Sequence, residues 1–157
     1  MPNPNRILKT PILSFEESIN KIYIENDDGT IVGYKSGYFI ANALSLTTQT
    51  SCVYEIFSNE VANKKRMVQI KNFRVIINKP RVVVTNDNYR LLQVLDLLND
   101  FDKYSEYSLE ESKELLFEYL NNIELSNGEI ELIVNQYPKD AQIRFYKIGG
   151  SNAFVHK

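Results

Sequence analysis

Residues 31–60 read IVGYKSGYFIANALSLTTQTSCVYEIFSNE, and the reading of this stretch decides the fold. Its pattern predicts a short strand over 31–34, a turn over 33–37, a helix over 37–46, a polar loop over 47–51 and a strand over 52–58. The small residues Gly33, Gly37, Ala41 and Ala43 are interleaved with Tyr38 and Phe39, so backbones can approach closely while rings fill the space between them. In the helix, Phe39, Ile40, Ala43, Leu44 and Leu46 leave little room for a polar face, which predicts that it is mostly buried. Alternation of Cys52, Tyr54 and Ile56 turns one face of the second strand inward. Thr47, Thr48, Gln49 and Thr50 leave the helix together as four hydrogen-bonding side chains. They either terminate the helix and cap the next strand, or form a docking surface.

Upstream, Pro2, Pro4 and Pro11 make residues 1–13 an extended lead-in or linker remnant. Ser14 and Glu17 form a capping box for a helix that carries Phe15, Ser18, Ile19, Ile22 and Tyr23 at helical spacing, closed by the turn residues 26–29. Downstream, two β segments are expected over 67–71 and 73–78 with Asn72 as the turn centre, followed by a short apolar run over 81–84. From Thr85 the period changes to that of a helix, through Tyr89, Leu92, Gln93, Leu95, Asp96, Leu97 and Leu98, capped by Thr85 or Asn86 and ending near Asp102. Capping boxes at Ser108/Glu111 and Ser126/Glu129 open two more helices. Pro138 suits the first turn of a last helix, stopped by Gly149 and Gly150. The fold class that follows is α/β in the α+β sense. A small mixed sheet of about four strands is flanked by helices and followed by a C-terminal helical subdomain. One domain spans 14–150, with a mixed α/β core over 14–84, a helical part over 85–150 and a frayed tail over 151–157.

A chain of 157 residues with 8 phenylalanines and 10 tyrosines can supply one core. The lone cysteine, Cys52, reads as a small core hydrophobe that suits a cytoplasmic, reducing compartment. No apolar run is long enough to span a bilayer, which argues against a membrane partner. The sole histidine, His156, lies in the tail, which excludes a histidine triad and an imidazole metal site. No cofactor or metal constellation is expected. Glu106, Glu110, Glu111, Glu114 and Glu118 recur at helical spacing and read as a solvated acidic face.

Charge is divided unevenly along the chain. Residues 1–85 hold 11 basic and 7 acidic residues, and residues 86–157 hold 7 and 13. Lys64, Lys65, Arg66, Lys71, Arg74, Lys79 and Arg81 are seven positive charges within 61–81, and no acidic residue interrupts them. Such a stripe can contact nucleic-acid phosphates or dock a domain. Lysines that blunt a sheet edge account for the same residues without a ligand. Glu55 on one strand, followed by Gln69-Ile70-Lys71 on a later one, faintly echoes the carboxylate and (Asp/Glu/Gln)-x-Lys pair of restriction-type nucleases of the PD-(D/E)xK kind. The second carboxylate that holds the divalent cation in such sites is missing.

The segments SGYFIANALSLTTQT, VYEIFSNE, FRVIINKPRVVVTNDNYRLLQVLDLLND and NQYPKD together resemble the C-terminal domain of AbiEi-like antitoxins. These are predicted transcriptional regulators of type IV toxin–antitoxin and abortive-infection systems. The resemblance covers about residues 14–145 and centres on Leu46, Thr47, Thr48 and Gln49. Two positions depart from the family pattern: Ser45 stands where the family has glycine, and Thr50-Ser51 stands where it has Val-Pro. The resemblance implies a non-enzymatic antitoxin and regulator of bacterial phage defence, paired functionally with a nucleotidyltransferase-like toxin. It also implies operator DNA read by a winged helix that precedes this domain in family members and is not expected in the lead-in here. The alternatives are a degenerate or active restriction-type nuclease and a protein-interaction domain that binds the cognate toxin; the oligomeric state is left open.

Overall fold

The computed structural model describes residues 17–50, 53–61, 65–70, 73–121 and 123–149, with the backbone alone over 65–70 and at 73. Its sheet has four strands: β1 (Gly33–Ser36), β2 (Val53–Ser58), β3 (Lys65–Ile70) and β4 (Phe73–Asn78), in the order β1-β2-β4-β3. β2 pairs antiparallel with β1 and parallel with β4, and β3 lies antiparallel on the far side of β4. The mixed α+β class read from the sequence is what the chain adopts. β1 sits two residues later than expected, over 33–36 rather than 31–34. The capping box at Ser14 and the turn at Asn72 fall outside the described residues, as does Cys52.

The helical elements are α1 (Asn20–Ile24), α2 (Tyr38–Ala43), α3 (Tyr89–Asn99), α4 (Phe101–Tyr104), α5 (Leu109–Tyr119), α6 (Asn127–Val134) and α7 (Lys139–Lys147). α1 is one widened turn, with the Glu25 amide reaching back to the Asn20 carbonyl at 2.8 Å. That widening leaves Ile19 and Tyr23 buried but turns Ile22 out to 55% exposure, against the expected stripe. α2 is shorter than the helix expected over 37–46, and only Ile40 and Ala41 of it are buried. A helix of under two turns presents one face to the core and leaves the rest to solvent, so Phe39 stands 44% exposed. Residues 81–84 form no strand; Val84 is buried and Val83 exposed as the chain crosses from the sheet to α3.

α3 is the axis of the molecule. Leu91, Leu92, Val94, Leu95, Leu97 and Leu98 are buried on every side of it, as an apolar helix surrounded by other elements must be. β1 packs on one side of it and α7 on another. Tyr34 and Phe57, stacked at 5.4 Å, bring the sheet into the same core as Phe145 and Ile148. A second, smaller core of Ile19, Tyr23, Ile56, Val61, Val75 and Ile77 fills the opposite side of the sheet.

Local signals set the joints. Gly33 is required because a Cβ there would stand inside the carbonyl oxygens of Tyr23 and Phe57. Gly37 adopts φ +66° where β1 turns into α2. Asn59 exchanges two 2.9 Å bonds with the Val84 backbone, acting as a surrogate strand partner. Asn88, at the N-cap of α3, is bonded reciprocally with Thr85, and the helix ends at Asn99 rather than near Asp102. Both serine capping boxes close as expected. Pro138 is the N-cap of α7 rather than part of its first turn. Gly149 adopts φ +80° immediately after that helix.

Candidate functional site

Two of the basic residues, Lys65 and Arg66, lie on the open edge of the sheet. β3 is the outermost strand, and its register sets Lys65 opposite Asn78 and Arg66 opposite Ile77, so Lys79 follows directly beside that pair. Arg74 lies at the other end of the same ladder, opposite Gln69. Arg74, Lys79 and Arg81 are exposed. Lys64 and Lys71 lie outside the described residues, and for Lys65 and Arg66 the placement is that of the backbone. The structure therefore brings Lys65, Arg66 and Lys79 to one end of an edge strand. Arg81 departs from the stripe: its guanidinium lies 5.7 Å from the Tyr137 ring centroid.

The Thr47–Thr48–Gln49 loop is held from within. Glu106 accepts hydrogen bonds from the Thr47 hydroxyl and the Thr48 amide, both at 2.7 Å, and from the Thr48 hydroxyl at 3.3 Å. The Glu106 amide donates to Leu46 O at 2.8 Å. These bonds, the Thr47 hydroxyl first, hold the Glu106 carboxyl below the usual carboxylate range. Asn42 donates to Thr47 O at 3.3 Å and to Gln49 O at 3.2 Å. The hydroxyls of the loop thus tie the segment after α2 to the turn after α4, while the end of α2 is closed by its own backbone through the Leu44 amide. Of the acidic run, Glu106 is engaged in this loop and Glu111 in the α5 capping box.

A polar cluster that the sequence did not single out lies between the sheet and α3. The Tyr34 hydroxyl donates to Asp96 Oδ2. Burial pushes the Asp96 carboxyl up to about 7, against the lowering effects of Tyr34 and Arg81; Glu55 and Asp100 add to the rise. Among the described residues the buried Tyr137 hydroxyl makes no hydrogen bond of good geometry, and burial together with the Asp96 charge raises its pKa, with Tyr34 opposing. Glu55 accepts from Asn78 Nδ2 and from the Tyr104 hydroxyl, each at 3.4 Å. One turn away, Gln93 accepts from the Tyr119 hydroxyl and donates to Lys35 O at 2.9 Å. Gln93, Asp96 and Asp100 fall at helical spacing. That polar interruption in an apolar helix is the trace the cluster leaves in the sequence.

Glu55 and Gln69 are not neighbours, and Lys71 lies outside the described residues. Glu55 pairs with Ile76 of β4, and Ile76 pairs with Met67 of β3, so β4 separates Glu55 from β3 and Gln69 lies two residues further along that strand. Among the described residues no group of three or more His, Cys, Asp or Glu is placed to hold a metal ion. No described helix is long and apolar enough to cross a membrane.

No family model, curated protein or solved structure matches this chain.

Proposed function

We propose that this chain is the non-enzymatic effector domain of an AbiEi-like antitoxin and transcriptional regulator, active in a cytoplasmic type IV toxin–antitoxin, phage-defence system. In this reading the basic sheet edge contacts DNA phosphates beside an operator-reading winged helix, and a nucleotidyltransferase-like toxin is the functional counterpart. The observation that carries the nucleic-acid part is the β3–β4 register, which gathers Lys65, Arg66 and Lys79 at the end of an edge strand. Charges grouped at one end of a strand give a footprint for a polyanion that charges spread over a surface do not. The family part is supported at Ser45. Where the family pattern has glycine, this residue adopts φ +63°, a conformation that favours glycine.

The test is a mobility shift of duplex DNA in low salt with the protein and with an Arg74→Glu/Lys79→Glu variant. Both residues are exposed, so the variant should keep the fold. The protein is expected to retard the duplex, and the variant to lose that retardation. Each phosphate contact removed should flatten the logarithmic salt dependence by about 0.9. A protein that leaves DNA unretarded, or a variant that retards it equally, defeats the reading.

A further inference from the structure

A cavity of about 350 Å³ opens between α2, the loop after it and the start of β2, walled by the rings of Tyr38, Phe39 and Tyr54. A second, of about 200 Å³, shares Phe39 and is lined by Lys35 and Gln93. The larger cavity lies within the range of small-molecule sites. Its walls are fixed. Tyr38 packs edge-on against Tyr104 with centroids 4.9 Å apart, and its hydroxyl donates to Lys103 O at 3.4 Å. Phe39 carries the Lys35 ammonium 4.3 Å from its ring centroid, yet remains 44% exposed.

The polar groups narrow the ligand class. Asn42 lines the larger cavity with Gln49 and Thr50, and its amide nitrogen is committed to two carbonyls, Thr47 O and Gln49 O. Its orientation is therefore fixed, and Oδ1 remains to accept a hydrogen bond. Among the described residues, Lys35 is the only charged side chain lining either cavity, and it meets no carboxylate there. An aliphatic ligand would cover the Asn42 oxygen without pairing it. A bare anion would make no use of the rings. A flat ring with an N–H edge, joined to one anionic group, uses all of them.

We propose that these two cavities bind a nucleotide, its base stacked on Phe39 and donating to Asn42 Oδ1, its phosphate at Lys35. Aromatic stacking with one amide contact is how unpaired bases are commonly held. The nucleotide is either a free mononucleotide or one unit of a single strand, and the chemistry is common to both. The site is separate from the basic edge of β3 and stands or falls without the antitoxin reading.

Titration calorimetry of the whole chain tests the proposal with 5′-AMP, 5′-CMP, adenosine, ribose 5-phosphate and a single-stranded dodecamer as probes, on the protein and on Phe39→Ala and Lys35→Met variants whose folding is checked by thermal melts. Phe39→Ala should weaken nucleotide binding about tenfold or more. Lys35→Met should weaken the phosphate-bearing probes and leave adenosine unchanged. Binding of the mononucleotides with both dependences assigns a free nucleotide, and binding of the dodecamer alone with both dependences assigns a strand. No binding of any probe at millimolar concentration overturns the proposal, as does binding that ignores Phe39 or treats ribose 5-phosphate and 5′-AMP alike. Because Arg74 and Lys79 are untouched, these outcomes are distinct from those of the duplex shift.

Discussion

Asp96 is a carboxylate inside an otherwise apolar helix, and its placement has a sign that can be measured. Its carboxyl is raised from 3.8 to about 7 in the folded chain, first by burial and then by Glu55 and Asp100, with Tyr34 and Arg81 opposing. A folded-state pKa above the unfolded one means that the folded chain holds the proton more tightly. The associated stability is complete below about pH 4 and is lost as pH rises through 7. At about 1.4 kcal/mol per unit the loss reaches at most about 4 kcal/mol. Asp96→Asn keeps an oxygen to accept from Tyr34 and cannot ionise, so it should match the parent protein at about pH 3.5, where the parent holds its proton in both states, and exceed it at about pH 8. Urea unfolding midpoints of both proteins at the two pH values check this. A parent protein whose stability does not fall relative to the variant would sink the assignment. The run LLQVLDLL revealed the helix but not the role of Asp96, because its hydrogen-bond donor Tyr34 lies 62 residues away in sequence.

Among the elements, the loop after α2 shows where spacing was informative and where it was not. The two serine capping boxes closed as read, since each is a bond between residues three apart. The anchor of Thr47 and Thr48 is Glu106, 59 and 58 residues away, a distance that no local pattern reaches. The acidic run in which Glu106 sits also read as solvated surface, which holds for its exposure but not for its bonds. Likewise Arg90 and Arg144 close the ends of α5 and α3 by donating to Tyr119 O at 3.2 Å and Leu98 O at 2.7 Å, again across distant parts of the chain. Glu106→Ala should therefore lower the melting temperature and release the Thr48 amide to fast hydrogen exchange, while the amides of α5 stay protected. Because the Glu106 carboxyl is held below its ordinary range, its contribution is present above about pH 4.5 and is lost as pH falls through the lowered value. Unchanged Thr48 exchange in the variant would show that the threonines hold the loop without the glutamate.

At the scale of the whole molecule, the sheet is shared by two cores of unequal depth. The one around α3 joins 23 buried residues from Tyr34 to Ile148, whereas the one under α1 joins six, among the described residues. The amphipathic periods revealed the large core in outline, because helix-forming segments announce their apolar faces. The small core depends on which face of β4 turns toward α1, and only the pairing β2-β4-β3 decides that. Parallel pairing of β2 with β4 could not be read from a sequence in which β3 intervenes. The inequality has a consequence for how the chain opens. Few buried contacts hold α1, so its amides should exchange by local opening, well before the molecule unfolds. Phe145, fully buried against α3, should cost about 3–5 kcal/mol when cut to alanine, and that loss should appear in the exchange of every slow amide in α3 and α7. Ile19→Ala should instead speed exchange in α1 and the adjoining part of β1 while leaving the slowest amides of α3 unchanged. Native-state hydrogen exchange on the two variants separates these patterns. If Ile19→Ala accelerated the α3 amides as much as Phe145→Ala does, the two cores would open as one unit, and the sheet would be their rigid link rather than a boundary.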